Sequence, residues 1–273
     1  ETSLIKKHHI TIKTPNGNKK IFKPDGCYES IDQIKIKPDY ILIATKVLPT
    51  INLIPELKHL VGTNTAIVLL QNGINIETLY KNEFQNNELI SGLAFVCVSK
   101  IKPGYIHHQD YGRLVIGLYP KGQSEKVKKL VQIFNNKNKC CKSSSFIIQN
   151  RYQKMLWNAS FNPLSVIYGG KSTAEILAYP GAINEIKEIM KEVKLIANND
   201  GCQITTEDIN KNIEDTFKMK PYKTSMCLDW ENNRPLEKEA IVKNLITIAA
   251  EKKLSIPYIQ NLYNQLNEKE NKG

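Results

Sequence analysis

The chain has 273 residues, 41% of them hydrophobic, and a formal net charge of +11 from 38 basic and 27 acidic side chains. That length suits one large domain or two ordinary ones, and the apolar share is enough for a real core. No apolar run approaches the ~20 residues of a membrane span, and no apolar stretch near the start marks a signal peptide.

The positive charge is lysine charge. Only Arg113, Arg151 and Arg234 are arginines, whereas base and phosphate readout lean on arginine forks. A solvated, lysine-rich surface is therefore expected, with neither nucleic acid nor membrane as partner, and an anionic small molecule would still be drawn to it. Cys27, Cys97, Cys140, Cys141, Cys202 and Cys227 form no CxxC pair, and the five histidines, including His8-His9 and His107-His108, complete no zinc spacing. Reduced thiols, a cytoplasmic location and no metal are the expectations.

In chain order, "HHITIKTPNGNKKIF" predicts a hairpin around Pro15-Asn16-Gly17. "DYILIATK" predicts a buried parallel strand, "LPTINLIPELKHLV" a helix limited by Pro49 and Pro55, "TAIVLLQNG" a second buried strand and "INIETLYKNEF" the next helix. Two strand–loop–helix units in succession suggest a doubly wound parallel sheet. "ELISGLAFVCVSK", "GYIHHQ" and "RLVIGLY" then read as three antiparallel strands, and "SEKVKKLVQIFNN" as an amphipathic helix with a serine cap. "NNKNKCCKSSS" is polar and turn-rich, the best candidate for a domain boundary; beyond it the pattern is almost wholly helical. The expectation is an α/β, incomplete Rossmann-like domain over 1–143 followed by an all-α domain over 144–273.

Ligands of open α/β sheets bind beyond the C-terminal ends of the strands. Lys46 follows "ILIAT" and Gln71-Asn72-Gly73 follows "AIVLL", so both occupy such ends. Taken alone, the commoner explanation is a solvated lysine and an ordinary Asn-Gly turn. A second group of polar residues lies in "KMLWNASFNPLS", where Lys154, Asn158 and Asn162 fall at i, i+4 and i+8 and share one stripe of a helix. Either the stripe faces solvent, or it faces a cleft. Apolar residues on the other sides and two asparagines, poor helix formers, argue for the cleft; Pro163 would bend the helix. A partly buried lysine has its pKa lowered and can protonate a carbonyl oxygen that is becoming an alkoxide.

"NRYQKMLWNASFNPLSVIYG" resembles the signature helix of the ketopantoate reductases (2-dehydropantoate 2-reductases), K-x-x-x-N-x-x-x-N-P-L-[ST]. "KTSMCLDWENNRPLEKEAIVKNLI" is similar to that family's second segment, and "ILIATK", "QNGIN", the hairpin and "IPYIQNLYNQL" fit in order, so the resemblance spans essentially the whole chain. It implies NADPH-dependent reduction of 2-dehydropantoate to (R)-pantoate, in pantothenate and coenzyme A synthesis. Lys154 would be the general acid. Asn158, Asn162 and Ser225 would bind substrate, Asn72 substrate and cofactor, and Lys46, Val98 and Glu237 the cofactor, with Glu237 reaching the substrate region too. Hydride delivery would require closure of a cleft between the two domains, and a homodimer is a further expectation. Taken singly, Glu237 reads equally as a first-turn helix acid, Ser225 as a helix-terminal hydroxyl, and Asp229 with Arg234 as a structural pair. A paralogue acting on another branched 2-keto acid, or a non-catalytic binding protein on the same scaffold, are the alternatives.

One departure from the family pattern is clear: the chain contains no G-x-G-x-x-G turn and opens at "ETSLIKKHHITIK". The expectation is a truncation before that loop, with about 25 to 30 residues missing upstream by analogy with a βαβ unit. Such a fragment would bind NADPH poorly.

Overall fold

Gly17 accepts φ +85° in the turn after Pro15-Asn16, and the flanking Ile10–Lys13 (β1) and Lys19–Phe22 (β2) pair antiparallel as the hairpin predicts. The structure, a computed structural model, describes residues 2–3, 5, 9–135 and 140–270. His8, in the predicted hairpin and the His8-His9 pair, lies outside the described residues, as do 136–139 of the expected boundary stretch.

The chain forms two compact units. One comprises 1–43, 52–70 and 80–145; the other comprises 44–51, 71–79 and 146–273. The stretches that follow two of the strands thus belong to the helical unit.

The first unit is built on a sheet in the order β2-β1-β6-β5-β4-β3, with β7 paired to β6. Tyr40–Ile43 (β3), Ala66–Leu69 (β4) and the start of Leu89–Lys102 (β5) run parallel. Tyr105–Leu118 (β6) runs antiparallel to β5. The sheet is therefore mixed. "GYIHHQ" and "RLVIGLY" prove to be one long strand, because β6 accommodates Tyr111 and Gly112 at positive φ and stays paired across irregularities in register. β4 is buried along its whole length, as expected. β3 is not: among the described residues it pairs with β4 alone, and Leu42 is 45% exposed. The helix expected over "LPTINLIPELKHLV" shrinks to Ile54–Leu57 (α1), because Pro55 is suited to a first turn and not to an interior one. Thr78–Glu83 (α2) is likewise short. Glu125–Asn135 (α3) takes its cap from Ser124, whose Oγ accepts from Val127 N at 3.1 Å. Val127 and Leu130 of α3 share a core with Ala66, Val68, Ile90, Ile116 and Cys141. Part of the stretch expected to hold the domain boundary is sheet, since Cys141–Ser143 (β7) pairs parallel with Leu114–Ile116.

The second unit is helical. Ile147–Ile167 (α4) is its centre, buried on most sides and continuous through Pro163. Around it lie Thr173–Leu177 (α5), Ala182–Asn199 (α6), Thr206–Lys218 (α7), Ser225–Glu231 (α8), Asn244–Glu251 (α9) and Pro257–Glu270 (α10). Capping boxes start α5 at Ser172 and α7 at Thr205. The buried Glu192 of α6 accepts from Tyr258 N (2.9 Å) and Ile259 N (2.7 Å), fixing the first turn of α10. A short π-helical stretch, Glu239–Lys243, leads directly into α9. Among the described residues no helix is long and apolar enough to cross a membrane.

Because Leu156 is fully buried at the centre of this unit, Leu156→Ala is expected to cost about 2–5 kcal/mol in denaturant unfolding, with retention of secondary structure by circular dichroism.

Candidate active site

The site grows from α4. Asn158 and Asn162 are 5% and 2% exposed, and Lys154 is half-buried. The polar stripe is therefore not a solvent face. Pro163 has no N–H to offer the carbonyl of Ala159, four residues back. One turn beyond Asn162, Ser165 Oγ donates to the Asn162 carbonyl at 2.6 Å and lies 2.8 Å from Thr224 Oγ1. Thr224 is the N-cap of α8, so the exposed Ser225 that follows it stands at the far end of the same stripe.

The stretch 71–77 docks beside Lys154. Lys154 Nζ donates to Asn72 Oδ1 at 2.8 Å. Gln71 Nε2 donates to the Thr45 carbonyl at 2.9 Å, tying this stretch to the one that carries Lys46. Gly73 has φ +108°, and a Cβ there would lie 2.6 Å from Ala240 Cβ. Glycine is thus required on two counts, backbone conformation and space. Ile74 N donates to the Ala240 carbonyl (3.0 Å), and Asn244 Nδ2 donates to the Ile74 carbonyl (2.7 Å). The π-helical stretch is where 71–77 is received.

Arg151 secures the same stretch from the opposite side. It lies one helical turn before Lys154 and is 1% exposed. Its Nε is 2.8 Å from Oε1 of the fully buried Glu77. Its Nη1 donates to the carbonyls of Gln71 (3.0 Å) and Gly73 (2.9 Å), on the two sides of Asn72.

Glu237, two residues before the π-helical stretch, is buried, and its Oε1 accepts from Val47 N at 3.0 Å. Burial pushes its carboxyl above the usual range, against the Val47 N–H and the nearby charges of Lys46 and Lys154. Lys46 forms an ion pair with the buried Asp229, and Arg234 Nη1 lies 3.8 Å from the same carboxylate. Arg234 N also donates to the Asp229 carbonyl at 2.9 Å. Lys154 itself is lowered to about 7, chiefly by burial of its ammonium and next by the charge of Arg151, with Glu237 opposing.

The helical unit thus brings Lys154, Asn72, Asn158, Asn162, Lys46 and Glu237 into one neighbourhood, with Ser225 reached through Thr224. Val98 belongs to the sheet unit, on β5 opposite His108, with its side chain 43% exposed. Sequence reasoning missed Arg151 and Glu77. The available signal was an arginine inside an apolar helix of a chain that otherwise uses lysine. Among the described residues no group of three His, Cys, Asp or Glu side chains is placed to hold a metal ion. For a nicotinamide cofactor the donor set fits at one end. Lys46 and Asn72 are half-exposed polar groups at strand ends, and the buried Gln71 Oε1 has no hydrogen-bond partner.

Residues 1–121 match the family model "Ketopantoate reductase PanE/ApbA" and residues 147–270 match "Ketopantoate reductase PanE/ApbA C terminal". A 2-dehydropantoate 2-reductase of Nostoc sp. is 34% identical over 236 residues, covering 84% of this chain and 73% of that protein. The crystal structure of 2-dehydropantoate 2-reductase from Methylococcus capsulatus superposes with a TM-score of 0.89 at 36% identity, covering 97% of this chain and 85% of that one. That from Geobacter metallireducens gives 0.90 at 26% identity, covering 97% and 87%. D-mandelate dehydrogenase, solved with NADH and anilino(oxo)acetate, shares the fold at 0.90 and 19% identity, covering 99% and 88%.

Gly73→Ala is expected to cost about 1–3 kcal/mol for the backbone conformation alone, with the contact to Ala240 added. Thermal unfolding measures the loss.

Proposed function

Because this chain belongs to the ketopantoate reductase family, a family of oxidoreductases, we propose that it reduces 2-dehydropantoate to (R)-pantoate with NADPH, Lys154 acting as general acid. The observation that carries this reading is a half-buried lysine with a pKa of about 7, bonded to Asn72 and continued along its helix by two buried asparagines. NADPH rather than NADH rests on the family resemblance. When bound, the cofactor supplies a hydride to the carbonyl carbon of the 2-keto acid. Lys46 and Asn72 would hold its nicotinamide end. No G-x-G-x-x-G turn is present in this sequence to receive a pyrophosphate, so no residue is assigned to that end.

The chain's own residues account for the rest. Lys154 Nζ gives its proton to the ketone oxygen as negative charge develops there. With its pKa lowered toward neutrality, Lys154 gives up a proton more readily than an ordinary lysine, a balance suited to general-acid catalysis. Asn72 Oδ1 accepts one N–H of the ammonium and so aims it. Asn158 and Asn162 bond the substrate's oxygens without adding charge, and Asn162 Oδ1 is buried with no partner of its own. The Ser225 hydroxyl donates to the substrate carboxylate. Glu237 accepts from a substrate hydroxyl while the Val47 N–H holds it in place.

The product would enter pantothenate and coenzyme A synthesis. We assign the enzyme to the cytoplasm, a reading supported by its six free cysteines, and to a homodimer; a ketopantoate reductase from Staphylococcus aureus is described as dimeric.

The test follows NADPH absorbance on the full-length protein with 2-dehydropantoate added. Oxidation is expected, reduced about 10²–10⁴-fold in Lys154→Ala. No oxidation by folded protein, with turnover of another 2-keto acid from a panel, would replace the substrate.

The pH profile carries a separate expectation. A general acid works while protonated, so the rate should be level below about 7 and fall tenfold per pH unit well above it. A flat profile through pH 9 would remove Lys154 from the role.

A further inference from the structure

We infer that Arg151, paired with Glu77, is the positioning residue of the Lys154 site: it holds the backbone on both sides of Asn72 so that this amide meets the ammonium.

A buried ion pair adds little stability over apolar side chains of the same volume, so packing alone does not call for an arginine and a glutamate there. What apolar side chains cannot do is bind the carbonyls of Gln71 and Gly73 together. Arg151 does this at 3.0 and 2.9 Å while its Nε faces Glu77 at 2.8 Å. The planar fork suits several acceptors at fixed angles; a lysine ammonium offers no such geometry. With Gly73 pressed against Ala240 and Ile74 N bonded to the Ala240 carbonyl, residues 71–74 are gripped from two sides. Asn72 is the residue between the two gripped carbonyls, and its Oδ1 lies 2.8 Å from Lys154 Nζ.

A second consequence is electrostatic. The guanidinium is always charged and lies one turn from the ammonium on the same helix, where it disfavours the protonated form. Asn72, which is neutral, faces Lys154 from another element, as does Glu237, which favours protonation and has Lys46 and Asp229 beside it.

The first arm of the test needs no turnover. Lysines of the intact protein are ¹³C-methylated and their titration is followed by NMR, with Lys154→Ala assigning the signal. Asn72→Ala, which removes an acceptor of the ammonium, is expected to lower the Lys154 midpoint from about 7 in the otherwise wild-type protein and to leave it unmoved in the double variant Arg151→Met/Glu77→Met, where Asn72 is already displaced. An equal fall in both backgrounds, each with native circular dichroism, overturns the proposal. The second arm rests on the reductase reading and uses Arg151→Lys, which keeps the charge and loses the fork. Arg151→Lys and Asn72→Ala should each lower kcat/KM about tenfold, and together lower it no further. Losses that multiply would show that Arg151 does not act through Asn72 and would overturn the proposal, as would full activity in Arg151→Lys. Should the double variant not fold, this cycle decides alone. Should the wild type not turn over 2-keto acids, the reductase reading fails and the titration still decides.

Discussion

A guanidinium taken out of water must find acceptors for its N–H groups inside the protein, and Arg151 finds them on one stretch of chain. Glu77 balances its charge, and the Gln71 and Gly73 carbonyls take further bonds. Leaving either charge unpaired would cost several kcal/mol, ~3–5 for a typical buried pair, so residues 71–77 have little freedom to leave α4. Other features of the site follow from this constraint. Asn72 is delivered to Lys154, Gln71 reaches back to Thr45, and Gly73 must be glycine because the chain passes so close to Ala240.

The receiving surface has its own irregularity. A π-helical turn inserts a residue into the helix ladder and frees backbone groups, which is why such turns recur at functional sites. Here the stretch Glu239–Lys243 offers the Ala240 carbonyl to Ile74, and Glu237 stands just before it. The carboxylate next to the lysine and the loop that carries the amide are thus set by one local departure from α-helical geometry.

The balance of charges explains the residue types along the stripe. Burial and Arg151 both favour a neutral Lys154, and Glu237 opposes them. Carboxylates at 158 and 162 would add two more negative charges and hold the lysine protonated. Amides bond oxygens and leave the titration alone. Asp229 is ion-paired with Lys46.

Much of this was legible in the sequence for physical reasons. Helices of the second unit announce themselves by apolar spacing, capping residues and glycine stops, and α4 shows its polar stripe because a 3.6-residue period places 154, 158 and 162 on one face. The motif order named the family. Three features were decided by tertiary structure alone. Strand burial depends on neighbours, so β3 looked central by its apolar run yet pairs on one side among the described residues. A polar, cysteine-bearing stretch became strand β7 because β6 had an edge to offer. And the Arg151–Glu77 pair joins residues 74 positions apart, a distance over which local pattern carries no information. The sequence by itself determined which polar side chains share one face of α4; tertiary packing decided what holds them, because a buried charge chooses its partner in space and not along the chain.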